Sequence, residues 1–467
     1  MAGRFSAWGS SLRQRLSSPS PSSSRRLSKI SYTTLPLDTP VEEETLAYYK
    51  PEHYYPIKIG DVYETRYQVT GKLGYGAYST SWLCRDLQSD QYEVLKVSTS
   101  LPSVPTASGR ELKIYEHLAR VNSTHPGQAL IRELYDSFDL HGPAGKHRCL
   151  VLQPMHMTLL EMMGLNPKPF NLPLLKMTVK RLLLALDFLH TEANVIHTDI
   201  KTDNLMLSLE DEGMLADFAT AEAEDPSPRK QIDQSRVIYQ SRRFRRPSAC
   251  KSYGRPILCD FGEARIGTQQ ESGPFVQPHI FRAPEIIFEM PWGSAVNTWN
   301  LACLIWDLFE GEHLFEDIFD AKGGHDPFRH LARMVALMGP PPEEFHSAAV
   351  KRPNSAWVAH EEAVVPMISL GSLEKRLAGE EKAEFIRFMM SMLKWLPEER
   401  KTAKQLLEDP WYSDIHAWLY LLSPATDKIS WLSASLVLSI RAVIIQAPRK
   451  SKLATDRGYI KASEVYG

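Results

Sequence analysis

The chain has 467 residues, of which 43% are hydrophobic and 24% are charged, and its formal net charge is -2 at pH 7. This length and composition are those of a soluble globular protein with two or three domains and a sizeable core. The five cysteines are widely spaced and form no C-x-x-C pair, which argues against a cysteine metal cluster or a disulfide framework and fits a reducing compartment.

Residues 1–37 contain six basic residues and no acid, so the rest of the chain carries a net charge of -8. The segment is rich in serine and arginine and lacks the continuous apolar core of a secretory signal peptide. We predict a disordered N-terminal segment over residues 1–44. The same composition is typical of a mitochondrial presequence, which stays open as an alternative to a location in the cytoplasm and nucleus.

Strand patterns follow, and helical patterns come after them. Alternation with a period of two flanks a glycine-containing turn and continues around Lys96, which predicts short strands from about 60 to 153, with one helix at about 108–120. From residue 154 the pattern is helical, with apolar helices near 174–190 and 298–309. The sequence predicts an α+β protein with a small strand-rich lobe and a larger helical lobe, and a cleft between such lobes is a usual ligand site.

Residues 210–255 interrupt the helical lobe with an acidic half followed by a basic half. Charge blocks of this kind are typical of a solvated, mobile segment. We interpret the segment as an insertion.

The first candidate functional motif is L-G-Y-G-A-Y-S at residues 73–79. Strand-like sequence follows it, whereas a dinucleotide-binding glycine motif would be followed by a helix. The pattern favours a glycine-rich hairpin that covers a nucleotide, with an ordinary hairpin turn as the alternative. Lys96 lies in the apolar strand V-L-K-V and needs an anion, and Glu111 on the inward face of the next helix could reach it.

The stretch I-H-T-D-I-K-T-D-N at residues 196–204 is the most specific signal. It offers Asp199 as a base for a hydroxyl, Lys201 to neutralise a transferring phosphate and Asn204 as a metal ligand. Farther on, F-R-A-P-E ends at Glu285 and P-E-E-R ends at Arg400. These two residues are candidates for a buried ion pair that joins distant parts of the helical lobe.

Together and in this order, these motifs resemble those of the eukaryotic protein kinases. P-E-H-Y-Y-P-I-K-I-G-D-V at 51–62, H-T-D-I-K at 197–201, D-F-G-E-A at 260–264 and I-W-D-L-F-E-G at 305–311 are similar to the serine/arginine-rich protein (SR-protein) kinase family. The resemblance covers about residues 45–412 and implies a strand-rich N-lobe at 45–153 and a helical C-lobe at 154–412. A tail at 413–467 has no interpreted role.

The resemblance implies a serine/threonine protein kinase that uses ATP and Mg²⁺ and phosphorylates Arg/Ser-rich proteins such as splicing factors. It implies protein substrates, no direct contact with nucleic acid, no membrane association and a monomer. Carried over residue by residue, it implies catalytic Asp199 and Lys201, metal ligands Asn204 and Asp260, and ATP-binding Leu73, Gly74, Gly76, Lys96, Glu111, Gln153 and Met155.

Two Asp-Phe pairs compete for the metal site, in M-L-A-D-F-A at 214–219 and in I-L-C-D-F-G at 257–262. We favour Asp260 over Asp217, because Gly262 permits unusual backbone angles and Ala219 does not. Asp260 also precedes Glu285 by 25 residues, a plausible activation segment, whereas Asp217 would leave 68. The SR-protein kinases carry a spacer at this place, so the near copy would belong to the insert.

Several residues depart from the kinase pattern. Ser81 and Val94 differ near the nucleotide, and Asn297 stands where the family has an aspartate that braces the catalytic loop. They support the alternative of a pseudokinase scaffold that binds partners without efficient transfer.

Thr198 replaces the arginine that in many kinases grips an activation-loop phosphate, which predicts activity without loop phosphorylation. Because the resemblance implies an acidic substrate groove, the basic half of the insert, with Ser235-Arg236 and S-R-R-F-R-R at 241–246, could also act as a pseudo-substrate.

Overall fold

The structure is a computed structural model with a strand-rich N-lobe and a helical C-lobe. The N-terminal residues 1–30 and the tail after residue 415 lie outside the part of the chain it describes. It describes residues 31–100, 107–165, 168–245, 253–271, 276–350 and 364–415.

The N-lobe is a six-stranded antiparallel sheet in the order β1-β2-β3-β4-β6-β5, with one helix, α1. Its core is a cluster around Tyr67, Trp82 and Cys149. Successive side chains of a strand point to opposite faces of the sheet, and the sheet residues of the cluster share one face. The helix predicted near 108–120 is confirmed. The elements are β1 Val62–Tyr63, β2 Tyr67–Tyr75, β3 Ser79–Asp86, β4 Tyr92–Ser98, α1 Ala107–Leu118, β5 Leu134–Gly142 and β6 Gly145–Leu152.

A hinge leads from β6 into the C-lobe. The long helix α3 begins after Asn171, whose side chain accepts a hydrogen bond from the backbone N–H of Leu174, and a proline follows in its first turn. Most of its apolar positions are buried, as the sequence predicts. The elements of this part are β7 Met155–Thr158, α2 Leu159–Leu165, α3 Leu172–Asp187, β8 Val195–Ile196 and β9 Leu205–Ser208.

The described part of the insert, residues 210–245 and 253–255, is folded, which contradicts its interpretation as a mobile segment. Phe218 on its helix is 3% exposed and packs with Leu83 of the N-lobe sheet. Tyr239 joins the N-lobe core and meets the Trp82 ring at 5.8 Å in an edge contact. The insert consists of α4 Gly213–Glu224, β10 Arg229–Gln231 and β11 Val237–Tyr239.

Charged residues of the insert reach across to the N-terminal segment. Lys230 donates to Glu44 at 2.8 Å, and Ser241 donates to Glu42 through its hydroxyl at 2.5 Å. The segment predicted to be disordered over 1–44 is therefore ordered from residue 31. Within it, Thr34 forms an isolated parallel β-bridge with Arg229 of β10. Lys230 of the basic half thus has its counter-charge outside the insert, in Glu44 of the N-terminal segment.

The basic half of the insert makes contacts with the N-lobe, with the insert itself and with the C-lobe in the residues described. Arg236 donates to the backbone carbonyl of Tyr54 on the N-lobe at 2.9 Å. Arg242 pairs with Glu222 inside the insert at 2.7 Å, and Phe244 is buried. These contacts engage Arg236, Arg242 and Phe244 away from the catalytic groups, whereas Arg243 is exposed and lies 3.5 Å from Glu161 of α2 in the C-lobe. Occupation of a substrate groove by this segment therefore stays a prediction. Residues 246–252 lie outside the described residues.

The C-lobe resumes at β12, which pairs with β9 and brings residues on either side of the insert together. Helix α6 is buried almost throughout and ends at Gly311, whose φ of 78° is the left-handed conformation that closes many helices. The elements are β12 Pro256–Leu258, β13 Arg265–Ile266, β14 Gln269–Gln270, α5 Pro284–Ile287, β15 Trp292–Gly293, α6 Ala295–Glu310, α7 Pro327–Met338, α8 Glu343–Val350, α9 Leu370–Leu373, α10 Gly379–Met390 and α11 Ala403–Leu407.

The predicted ion pair in the C-lobe core is confirmed. Arg400 donates to both carboxylate oxygens of Glu285, at 2.6 and 2.7 Å, and both side chains are fully buried. Losing one partner would leave an uncompensated buried charge, which costs roughly 3–5 kcal/mol. No helix in the described ranges is long and apolar enough to cross a membrane. The apolar stretch at 429–445 lies outside them.

Candidate active site

Lys96 of β4 lies at the centre of a charge cluster under the N-lobe sheet. Its Nζ atom is 2.8 and 2.9 Å from the two carboxylate oxygens of Glu111 on α1, as predicted. It is also 3.2 Å from Oδ1 of Asp260. One cation thus joins a strand, a helix and the loop that follows β12.

The charges of this cluster shift one another's pKa. Burial lowers the pKa of Lys96, but the negative charges of Asp260 and Glu111 outweigh it and raise the pKa above its ordinary value. The positive charge of Lys96 lowers the pKa of Asp260 to about 2. Lys96 is therefore a cation and Asp260 an anion at neutral pH, the states required to hold phosphate and metal respectively.

The catalytic-loop motif follows β8 and gathers three polar side chains. Lys201 Nζ is 2.9 Å from Oδ2 of Asp199, and the amide of Asn204 donates to the same oxygen and to the Asp199 carbonyl, both at 2.8 Å. The other carboxylate oxygen, Oδ1 of Asp199, is buried and has no hydrogen-bond partner in the part of the chain described. A buried acceptor without a donor is suited to receive a hydroxyl group from a substrate.

The backbone of this loop is held by contacts from three distant segments. Thr198 has a φ of 69°, and its N–H donates to Oδ1 of Asn297 at 2.9 Å. Its hydroxyl donates to the carbonyl of Glu263 at 2.8 Å. His197 contacts the carbonyl of Cys259 through Nε2 at 3.1 Å. The sequence did not point to the Thr198 hydroxyl or to His197, because their partners lie 65 and 62 residues away, respectively.

Asn297 performs the bracing expected of the family's aspartate. While its oxygen accepts from Thr198, its amide nitrogen is 2.8 Å from Nε2 of His190. Burial, and then the neighbouring His197, lower the pKa of His190 to about 4, so its ring is neutral and Nε2 can accept from the amide. The uncharged asparagine is matched by an uncharged histidine.

The three residues of the D-F-G segment, 260–262, differ in backbone conformation and in burial. Asp260 itself has a φ of 61°, and Gly262 does not adopt a positive φ. The reason that we gave for a glycine at 262 is therefore wrong. A Cβ atom there would lie 3.3 Å from Oδ1 of Asp260, so the glycine leaves space for the carboxylate. Phe261 is fully buried between the rings of Tyr115 and His197, at 5.3 and 5.0 Å.

The other Asp-Phe pair lies on the first helix of the insert. Asp217 is exposed, and no hydrogen bond or ion pair in the described residues joins it to the catalytic groups. Phe218 packs so closely on β2 that a Cβ atom added to Gly71 would lie 2.7 Å from its ring. Proximity to Lys96 therefore favours Asp260.

The glycine-rich hairpin, which joins β2 and β3, forms the N-lobe side of the site. Gly74 pairs with Ser81 across the hairpin, and the N–H of Gly76 donates to the carbonyl of Ser79 at 2.8 Å. The space beside both glycines is open, because a Cβ atom at either would have no neighbour within 4 Å. Leu73 packs against the apolar cluster of the insert.

Two hinge residues complete the set that was expected to bind ATP. Gln153 follows β6, and its carbonyl accepts from Arg132 at 2.9 Å. Met155 begins β7 and is 2% exposed. They lie where the chain passes from β6 of the N-lobe to β7 of the C-lobe.

The sequence analysis also missed residues at the end of the activation segment. Gln277 is buried with a φ of 68°, and its side chain accepts from the Ala283 N–H at 2.9 Å. Arg282 donates to the Gln277 carbonyl at 3.0 Å and contacts His279 at 2.9 Å. These side chains form hydrogen bonds at the end of the activation segment. Residues 272–275 of that segment lie outside the described residues.

Comparison with known proteins agrees with this geometry. Residues 67–257 and 250–412 match the protein kinase domain family, in two stretches that meet at the end of the insert. This chain belongs to the protein kinases. It is 42% identical over 378 residues to a serine/threonine protein kinase of Aspergillus fumigatus, a match that covers 79% of this chain and 90% of that one.

A second relative places the kinase beside the SR-protein kinases. The serine/threonine-protein kinase SRPK of Physarum polycephalum is 30% identical over 404 residues, covering 81% of this chain and 93% of that one. A crystal structure of a kinase domain has the same fold, with a TM-score of 0.58 over 77% of this chain and 98% of the other at 21% identity. The kinase is thus a serine/threonine protein kinase with SR-protein kinases among its relatives.

Proposed function

We propose that this kinase transfers the γ-phosphoryl group of ATP, with Mg²⁺, to serine or threonine in Arg/Ser-rich proteins. The observation that carries the substrate class is an exposed acidic loop beside the activation segment. Catalysis in such enzymes depends mainly on positioning and electrostatic stabilisation, with little covalent chemistry performed by the protein.

The phosphate-binding roles follow from the charge cluster. Lys96, held by Glu111, would bind the α- and β-phosphates, and Lys201 would offset charge on the moving phosphoryl group. The free Oδ1 of Asp199 would accept the proton of the substrate hydroxyl. Leu73, the open space at Gly74 and Gly76, and the hinge residues Gln153 and Met155 would enclose the nucleotide.

Asn204 and Asp260 fit a magnesium site because both present oxygen atoms, the ligands that Mg²⁺ prefers. No group of three potential ligand side chains occurs in the described ranges. Mg²⁺ in phosphoryl-transfer sites is commonly held by one or two side chains together with substrate phosphates and water. When bound, the metal would neutralise negative charge on the phosphates.

The acidic loop follows α6, with exposed side chains at Glu312, Glu316, Asp317 and Asp320. It contacts the activation segment directly: the ring of Phe319 lies 6.3 Å from that of His279. The loop therefore presents negative charge next to the segment that forms a peptide platform in protein kinases. Arginine side chains of a substrate would be attracted to it, and the attraction would weaken as salt screens it.

The test is phosphorylation of an Arg-Ser repeat peptide against a matched Lys-Ser peptide by the purified protein. We expect a clear preference for the Arg-Ser peptide, because guanidinium groups bind carboxylates through two hydrogen bonds. Glu312→Gln with Glu316→Gln should raise the KM for the Arg-Ser peptide several-fold at low salt. Equal use of both peptides by the wild type would contradict the substrate class.

A matched control removes the same charge elsewhere. Glu380→Gln with Glu381→Gln, both exposed on α10, should leave the KM unchanged. Asp199→Asn should abolish transfer, which separates an active kinase from the pseudokinase alternative. Turnover by Asp199→Asn equal to that of the wild type would contradict catalysis by this site.

A further inference from the structure

Tyr54 touches the glycine-rich hairpin although it precedes the stretch that matches the kinase domain family. Its hydroxyl lies 3.1 Å from the carbonyl oxygen of Gly76 and 3.4 Å from that of Ala77. A phenol has one proton to donate, so the two carbonyls share it. The residue belongs to the P-E-H-Y-Y-P motif, for which the catalytic groups described above provide no role.

The Tyr54 ring is held firmly in place. The residue is 5% exposed, and its ring packs on that of Tyr49 at 5.2 Å. The preceding residue, His53, accepts a hydrogen bond from the backbone N–H of Ser100 at 2.9 Å, just after β4. Burial raises the pKa of Tyr54, so its hydroxyl stays protonated and remains a donor throughout the working pH range.

The insert fixes Tyr54 from the other side. Arg236 donates from Nη2 to the Tyr54 carbonyl at 2.9 Å. The turn that carries Arg236 is closed by its own N–H to Oδ1 of Asp233 at 2.9 Å, and Lys58 donates to the carbonyl of Gln234 at 2.8 Å. A chain of contacts therefore runs from the insert through Tyr54 to the tip of the hairpin.

The hairpin tip has little other support. Gly76 carries no side chain, and its Cβ position faces open space. Within the hairpin its N–H closes the turn onto Ser79, and the Tyr78 carbonyl accepts from Thr99. Glycines gain backbone freedom from the missing side chain, so a bond to the adjacent carbonyls restricts the tip more than it would restrict a stiffer strand.

We propose that Tyr54 is a positioning residue that holds the tip of the glycine-rich hairpin over the nucleotide phosphates, and that Arg236 couples the insert to this contact. The inference rests on the nucleotide site proposed above. Adenine would bind at the hinge, away from the tip, whereas the phosphates would lie beneath it. The Tyr54 hydroxyl should therefore matter for ATP and not for adenosine.

The test compares Tyr54→Phe with Tyr49→Phe. Both remove one hydroxyl from adjacent, packed tyrosines, and no hydrogen bond to the hairpin joins Tyr49 in the described residues. We expect Tyr54→Phe to raise the Kd and KM for ATP about five-fold, the change expected for one ordinary hydrogen bond. Adenosine affinity should change less than two-fold, and Tyr49→Phe should match the wild type in both.

The role of the insert is tested with Arg236→Met, which keeps the side-chain stem. Alone it should raise the KM for ATP about two- to three-fold. In the Tyr54→Phe background it should add almost nothing, because the contact through which it acts is already lost. Fully additive effects would overturn the proposed coupling.

The ratio of ATP to adenosine affinity is independent of the fraction of folded protein, so partial unfolding of a variant does not obscure the result. An unchanged ratio in Tyr54→Phe, or an equal change in Tyr49→Phe, would overturn the role of Tyr54. A wild-type protein that binds neither ATP nor adenosine would instead contradict the proposed nucleotide site.

Discussion

The two Asp-Phe pairs of this kinase show how differently one dipeptide can be used. At 260–261 the phenylalanine is buried beneath α1 and the aspartate contacts Lys96 at 3.2 Å. At 217–218 the phenylalanine is also buried, against Gly71 of the N-lobe sheet, but the aspartate faces solvent. In both places the ring anchors a segment by removing apolar surface from water.

The two pairs differ in the backbone conformation of the aspartate that precedes the phenylalanine. Asp260 follows a strand and adopts a φ of 61°, which turns its carboxylate toward the site while Phe261 enters the core. Asp217 lies within α4, where the preceding residue on a helix points about 100° away from its neighbour. A buried phenylalanine on a surface helix therefore leaves the aspartate before it in water.

The largest expected effect comes from removing the two carboxylates in turn. Asp260→Ala should lower kcat for peptide phosphorylation at least about 100-fold, the scale on which a single charge-stabilising group acts in an enzyme site. Asp217→Ala should stay within about two-fold of the wild type. An inactive but folded Asp217→Ala protein would reverse the assignment, and circular dichroism on both variants supplies the control.

The second test removes the ring that anchors the insert. Phe218→Ala should lower the free energy of unfolding by about 3 kcal/mol, near the low end for a buried phenylalanine, because its cluster is a small satellite of the main core. Urea denaturation measures the change, and limited proteolysis should show faster cleavage within 226–245. Phe218→Leu, which keeps most of the buried surface, should lose less than half as much. Equal stability of Phe218→Ala and wild type would show that the insert is not anchored there.

The third test concerns the protonation of His190, which contacts Asn297 beside the catalytic loop. The pKa of His190 is lowered to about 4 from an ordinary value of 6.5. Between these values the unfolded state binds a proton that the folded state does not, so stability falls as pH drops from about 6.5 to 4 and this contribution is constant above.

Asn297→Asp should reduce that acid sensitivity. A carboxylate near His190 raises the pKa of the ring, and each unit of increase recovers about 1.4 kcal/mol of stability at the low end of the window. Denaturation at pH 7 and pH 5 measures the difference, with the wild type as reference so that the other histidines cancel. A steeper loss in Asn297→Asp than in wild type would contradict the neutral pairing.

The smallest expected effect is none at all. The activation segment that begins at Asp260 ends in contacts from Gln277 and Arg282 that need no phosphate. Protein made in bacteria and treated with phosphatase should therefore keep its kcat within about two-fold. Activity that arises only after another kinase modifies Thr268 or Ser272 would show that the segment requires a phosphate after all.

Local patterns in the sequence were sufficient for much of the site. The catalytic loop is a single short stretch, so the proximity of Asp199, Lys201 and Asn204 follows from their spacing. The pairing of Lys96 with Glu111 follows from a lysine in an apolar strand and a glutamate on the inward face of the next helix. The Glu285–Arg400 pair, although separated by 115 residues, was predicted from the F-R-A-P-E and P-E-E-R motifs that end at these two residues.

The tertiary structure alone decided the fate of the insert, the role of Gly262 and the contacts of Tyr54. The charge blocks of the insert suggest a solvated segment when its sequence is considered alone. Its Lys230 is stabilised by Glu44, which lies 186 residues away in the sequence, and its Ser241 hydroxyl donates to Glu42, which lies 199 residues away. Alternation and helical spacing predict which side of a single strand or helix is apolar. They do not predict which distant charged residue will pair with a charge on that element. That pairing is set by how the elements pack, because burying a charge is tolerable only where the fold supplies its counter-charge.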